Sequence, residues 1–195
     1  DPAMLLKPPV DSWPTYHGDY SGQRHTKLSA ITPANVHQLT LAWAFQTGQT
    51  QQLKMSPVLV NGVIYLTAPD NVWAIDARDG RELWRYYWKT KGGTHIGNRG
   101  AAMWRNYLFF ETPDNYLVSL DARTGKERWH VEIADFDQQY FSTMAPVVID
   151  NHVLVGTGND LDSPGFLQSY DPETGKRNWI FYTVPMKPGD PGLET

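Results

Sequence analysis

The stretch Asp76-Ala77-Arg78-Asp79-Gly80-Arg81-Glu82-Leu83-Trp84 carries the pattern Asp-x-x-x-Gly-x-x-x-Trp, and the chain contains it three times. The second copy runs Asp121, Gly125, Trp129 and the third Asp171, Gly175, Trp179, at intervals of 45 and 50 residues. A fixed motif at such a period marks a repeat architecture, a solenoid or a propeller. Each motif residue has a separable task. The Asp side chain can bind backbone N–H groups in a turn. The Gly can take φ > 0 where that turn closes. The Trp offers a broad apolar face to a neighbouring unit, with an N–H that needs an acceptor.

The repeat extends upstream. Ser56–Val60, Ala101–Trp104 and Ala145–Ile149 are short apolar runs, followed by the two-residue turns Asn61-Gly62, Arg105-Asn106 and Asp150-Asn151. Second runs follow at Val63–Leu66, Tyr107–Phe110 and His152–Val155, which reads as three β-hairpins. Third runs, Val72–Ile75, Tyr116–Leu120 and Phe166–Tyr170, lead into the Asp, and the fourth carries the Trp. Four short strands in roughly 45 residues match one propeller blade. An open stack of hairpins or a plain sandwich is the competing arrangement. The predicted class is therefore all-β, a partial β-propeller of three four-stranded antiparallel blades. An orphan strand is expected at Leu39–Phe45, with Trp43 in the place of a fourth-strand Trp. A short helix is expected at Thr32–Gln38, with Thr32 as N-cap and Pro33 at N1. The organisation reads as an extension over 1–38, the propeller portion over 39–183, and a Pro/Gly-rich loop over 184–195.

Eight Trp, 10 Tyr and 7 Phe beside 16 Gly and 14 Pro suit a turn-rich all-β chain. A net charge of −4 without a Lys/Arg block gives no electrostatic case for nucleic acid. There are no Cys residues, so disulfides and thiolate metal sites are excluded. No apolar stretch approaches the ~18 residues of a membrane span, and no signal peptide is expected in the chain. The six His show no metal-ligand spacing, Gly156-x-Gly158 lacks a third Gly, and no Gly-x-Ser-x-Gly elbow occurs. Propellers normally close with ~4–8 blades. Three blades would leave Trp-bearing end faces uncovered, which predicts a fragment or a self-associating partial propeller.

The opening Trp13-Pro14-Thr15-Tyr16-His17-Gly18-Asp19, with Arg24 beyond it, resembles the start of the pyrroloquinoline quinone (PQQ)-dependent alcohol dehydrogenases. The three Asp-Gly-Trp motifs resemble the tryptophan-docking motifs of that eight-bladed family. Asn98-Arg99-Gly100, Thr143-x-Ala145-Pro146 and Phe181–Pro185 followed by Gly189-Asp190-Pro191-Gly192 add to the match. The resemblance covers almost the whole chain and corresponds to the N-terminal third or so of a full-length enzyme.

The resemblance implies a primary alcohol oxidised by hydride transfer to PQQ held on Ca²⁺ or a lanthanide, in a periplasmic or secreted protein. It places Arg99 against the quinone and Thr143 on a PQQ carboxylate. Thr157, Gly158 and Asn159 fall where the family holds PQQ, and Asp160 where it ligates the metal through a hard oxygen. Lys54 stands where many members have a Glu. The family's vicinal Cys pair is replaced by the Thr94–Gly97 region. Simpler roles stay open: Arg99 as an inter-blade ion-pair partner, Thr143 as an ordinary strand residue, Asp160 as a loop stabiliser. Asp160-x-Asp162 is followed by Pro164, which argues against an EF-hand. Later-blade catalytic residues are absent from this sequence, so the isolated chain is expected to be inactive. The alternative is a non-catalytic propeller module that binds itself or further blades.

Overall fold

In the computed structural model, residues 2–49, 53–93, 97–159, 163–190 and 192–193 are described. The predicted hairpins appear as three separate sheets, each strictly antiparallel and in chain order. The first contains β1 (Val58–Val60), β2 (Val63–Ala68), β3 (Asn71–Asp76) and β4 (Glu82–Tyr87). The second contains β5 (Ala102–Trp104), β6 (Tyr107–Glu111), β7 (Tyr116–Asp121) and β8 (Glu127–Glu132). The third contains β9 (Val147–Ile149), β10 (His152–Thr157), β11 (Phe166–Tyr170) and β12 (Arg177–Tyr182). No helix among the described residues is long and apolar enough to cross a membrane.

The core lies between the sheets. Val58, Val72, Leu108, Phe110 and Val118 pack the first sheet on the second. Phe109, Leu117, Val148, Val153 and Tyr170 pack the second on the third. Adjacent residues of β6 thus serve opposite interfaces, because a strand alternates its faces. That is why β3, β6 and β7 read as nearly unbroken apolar runs.

The motif turns repeat with fidelity. Asp121 Oδ1 accepts the N–H groups of Arg123 and Thr124, and Asp171 Oδ1 those of Glu173 and Thr174. Asp76 accepts from the Arg78 backbone and from its guanidinium. In each turn the Gly N–H closes on the Asp carbonyl at 2.8–2.9 Å. The register between third and fourth strands shifts at Ala74/Ile75, Ser119/Leu120 and Ser169/Tyr170. This bulge places each Trp opposite a small residue and aims it out of its own sheet.

The Trp then docks on the next repeat. Trp43 lies on Gly80, Trp84 on Gly125 and Trp129 on Gly175. A Cβ on Gly125 would sit 2.6 Å from the Trp84 ring, and its φ is +70°. Only glycine satisfies both demands. Trp43 and Trp84 donate Nε1–H to the carbonyls of Ala77 and Ala122, at 3.2 and 3.1 Å. The third dock differs. Arg128 Nη1 reaches the equivalent carbonyl of Pro172 at 3.1 Å and leaves Trp129 Nε1 without a partner among the described residues. Arg128 also pairs with Glu173 at 3.0 Å, so an ion pair takes over the clasp.

Two local expectations are corrected. Residues 39–45 form no ladder, because a strand exists only through a partner and none of the described residues supplies one. Trp43 nonetheless docks like its equivalents. The helix over 32–38 shrinks to a 3₁₀ turn at Val36–Gln38. Thr32 does not cap it; Asn35 Oδ1 accepts from the Thr32 N–H at 2.7 Å and Asn35 Nδ2 donates to Ala30. An Asn-closed turn has displaced the helical start. A five-residue helix at Pro2–Leu6 was not anticipated.

Candidate functional site

Three inner segments lie side by side ahead of β1, β5 and β9. Ser56 forms a parallel bridge to Gly100 and donates its N–H to Arg99 O at 3.0 Å. Arg99 N–H in turn donates to Thr143 O at 3.1 Å. Phe141, on the same strip as Thr143, bridges Gly158 and donates to its carbonyl at 3.1 Å. A Cβ on Gly100 would lie 3.0 Å from Ser56 O, and its φ of +136° is glycine territory. The close approach of the first two strips therefore depends on that residue.

The strip over 138–144 brings the predicted site residues together. Arg99 Nη1 donates to the carbonyl of Thr143 at 3.1 Å and also to its hydroxyl. The Thr143 hydroxyl accepts there, so its own proton remains for another acceptor. On the other flank Thr157 Oγ1 donates to Phe141 O at 3.0 Å, and Asn159 Nδ2 to Gln138 O at 2.8 Å. Thr157 thus directs its hydroxyl proton to the backbone of the strip. Gly158 carries the bridge between them.

Arg99 forms no ion pair among the described residues. Thr143 lies outside the strands. Lys54 is exposed. Asp160, Asp162 and Thr94–Ile96 lie outside the described residues. Among the described residues no group of three or more His, Cys, Asp or Glu side chains could hold a metal ion. The wall is therefore rich in donors, with a guanidinium and a free hydroxyl proton as its assets. Such a wall suits an anionic, carboxylate-bearing group.

Sequence reading gave no role to the residues that brace this wall. Asn98 is buried; its Oδ1 accepts from the Thr67 hydroxyl at 2.5 Å and the Gly100 N–H at 2.8 Å, and its Nδ2 donates to Glu111 O at 2.9 Å. Asn115 does the same for the other strip, donating to Tyr140 O at 2.9 Å and accepting from Ser142 Oγ at 3.0 Å. Their carboxamides act as cross-braces 13 to 31 residues away along the chain. Composition holds no signal for such reach.

Comparison with known proteins agrees with this geometry. The profile of the PQQ glucose/ethanol/alcohol dehydrogenase β-propeller domain matches residues 13–194. The quinohemoprotein alcohol dehydrogenase ADH-IIG of Pseudomonas putida is 36% identical over 93% of this chain and 26% of its own length. The solved structure of ADHIIG from Pseudomonas putida HK5 superposes with a TM-score of 0.93 at 34% identity, over all of this chain and 31% of that one. A europium-containing methanol dehydrogenase superposes with a TM-score of 0.84 at 30% identity, over 91% of this chain and 33% of that one. The chain spans about a quarter of the length of the curated relatives it matches.

Proposed function

The chain belongs to the PQQ glucose/ethanol/alcohol dehydrogenase β-propeller family, and on that premise we propose that it supplies one wall of a PQQ site in an alcohol-oxidising quinoprotein. The observation that carries this reading is the strip over 138–144, which joins Arg99 and Thr143 to Thr157, Gly158 and Asn159. PQQ bound there would supply the hydride acceptor for alcohol oxidation. The residues of this chain bind and orient. Arg99 offers its remaining N–H groups to the quinone, and Thr143 its hydroxyl proton to a cofactor carboxylate. Gly158 keeps the backbone bare of a side chain beside them, and Asn159 fixes the end of the loop. Asp160 is the residue proposed to ligate Ca²⁺ or a lanthanide. It is one ligand of the ~6–8 oxygens such ions take, so no step is assigned through the metal. The same reading carries the expectation of a periplasmic or secreted location.

PQQ titration followed by tryptophan fluorescence tests the wall. Arg99→Ala is expected to weaken binding roughly 10–100-fold, the cost of a charged hydrogen bond. Thr143→Val is expected to lose less. Equal affinity of Arg99→Ala and wild type refutes the reading. With PQQ and Ca²⁺ or lanthanide, the isolated chain is expected to give no quinone-dependent dye reduction with alcohols. Robust turnover overturns that part.

A second reading, a self-associating or blade-pairing module, is favoured by one observation. Trp179 is 40% exposed where the three equivalent Trp are docked, and Phe181, Val184 and Met186 are exposed beyond it. Light scattering should show a mass that rises with concentration, and Trp179→Glu should abolish the rise. A constant monomer mass in the wild type rejects it.

A further inference from the structure

Behind the strip that carries Thr143 sits a carboxyl group that the proposed cofactor wall does not use. Glu111 ends β6 and is fully buried. Neither of its carboxyl oxygens has a hydrogen-bond partner among the described residues. Burial holds the group well above the ordinary carboxylate range. The Met144 N–H pulls the other way, more weakly than burial. An ionised carboxylate in such a place is costly; a neutral acid is tolerated.

The backbone ties Glu111 to both flanks of the wall. Its carbonyl accepts from Asn98 Nδ2, and Asn98 is the neighbour of Arg99. Its side chain lies toward Met144, the neighbour of Thr143. The Met144 sulfur accepts the Gly156 N–H at 2.9 Å, one residue before Thr157. Glu111 is therefore placed under the junction where the Asn98–Gly100 and Thr143–Met144 strips meet.

We propose that Glu111 is a positioning residue of this wall: as a neutral acid it lets the two strips close over it, and its ionisation displaces them and loosens the grip of Arg99 and Thr143 on an anionic cofactor. The inference rests on the PQQ reading above for the identity of the ligand, but not for the movement. Among the described residues, the titratable and charged groups on the elements around Glu111 are these. From β11, the Tyr170 phenol is pushed up to about 12, chiefly by burial, with Arg177 of β12 opposing and the Glu111 charge adding. From the turn after β6, Asp114 is tied to Trp88 Nε1, Thr112 Oγ1 and the Lys91 N–H. From the strip, the Arg99 guanidinium is held on Thr143. Among the described residues no charged group acts on the Glu111 carboxyl, and burial is what its ionisation must overcome.

The test is an NMR titration of the ¹⁵N,¹³C-labelled chain from acid to alkaline pH. The Glu111 carboxyl carbon and the amides of Asn98, Arg99, Thr143 and Met144 should share one midpoint, well above that of an ordinary Glu. In Glu111→Gln the four amides should stay flat. The carboxyl carbon of the wild type reports the midpoint without any substitution, so an unfolded variant does not spare the proposal. Amides that ignore the carboxyl, or that titrate alike in Glu111→Gln, overturn it. In parallel, PQQ affinity should fall about tenfold across the midpoint in the wild type, a typical coupling between linked sites. It should stay within about twofold in Glu111→Gln. Affinity that is flat while the amides move overturns the link to the wall. Absence of PQQ binding at every pH counts against the cofactor reading, and the amide titration still decides for or against Glu111.

Discussion

Trp84→Ala is expected to lower the unfolding free energy by about 3–5 kcal/mol, the range for a large aromatic lost from a packed interface. The indole covers Gly125, packs 6.0 Å from the Tyr65 ring and donates to Ala122 O. Gly125→Ala should cost a comparable amount for a different reason. The new methyl meets the indole at 2.6 Å, and the backbone at φ +70° resists a Cβ. The two changes share one contact, so they should not add. In the double variant the ring that the methyl would strike is gone, and the total should fall short of the sum by 1 kcal/mol or more. Trp179→Ala is the control. Trp179 is 40% exposed, and its loss should cost under about 1 kcal/mol. Urea unfolding of the five proteins checks the cycle. Additivity within about 0.5 kcal/mol would mean that Trp84 and Gly125 stabilise the fold independently, and the docking account fails.

The blades were legible because their determinants are local and repeated. Asp76, Asp121 and Asp171 bind amides two or three residues away, and hairpin registers follow from two-residue turns. Arg99 and Thr143 were legible only through resemblance; their direct contact spans 44 residues. Asn98, Asn115 and Glu111 escaped for a physical reason. In Tyr107-Leu108-Phe109-Phe110-Glu111 the final carboxyl reads as a solvated strand end. Yet the inner strands of a blade are covered on both faces, and Glu111 is shut in with them. The segment at 39–45 failed as a strand because pairing is a property of two segments, while its Trp43 succeeded because docking needs only the next repeat's Gly80.

The pH dependence of stability should separate the acids by sign. The motif carboxyls are held below their usual range. Asp76 is lowered first by the Arg78 side chain. Asp121 is lowered by Thr124 and Arg123 against the burial that opposes them, and Asp171 by the Thr174 N–H. Their contribution is present above the unfolded value of 3.8 and is lost as pH falls below it. Glu111 works the other way. Its folded carboxyl keeps a proton that the unfolded chain releases above 4.5. The unfolded state then binds fewer protons, and stability falls as pH rises from there toward the folded midpoint. One proton gives a slope of up to about 1.4 kcal/mol per pH unit. Wild-type stability should therefore decline on the neutral side, where Glu111→Gln stays flat, while both lose stability together in acid. The gap between them should widen with pH even if the buried amide costs the variant some stability at pH 5, because that cost does not titrate. Chemical denaturation at half-unit steps from pH 3 to 9 measures both curves. Parallel curves above pH 5 would place the Glu111 carboxyl in contact with solvent or a partner, and would remove the basis for its action on the wall.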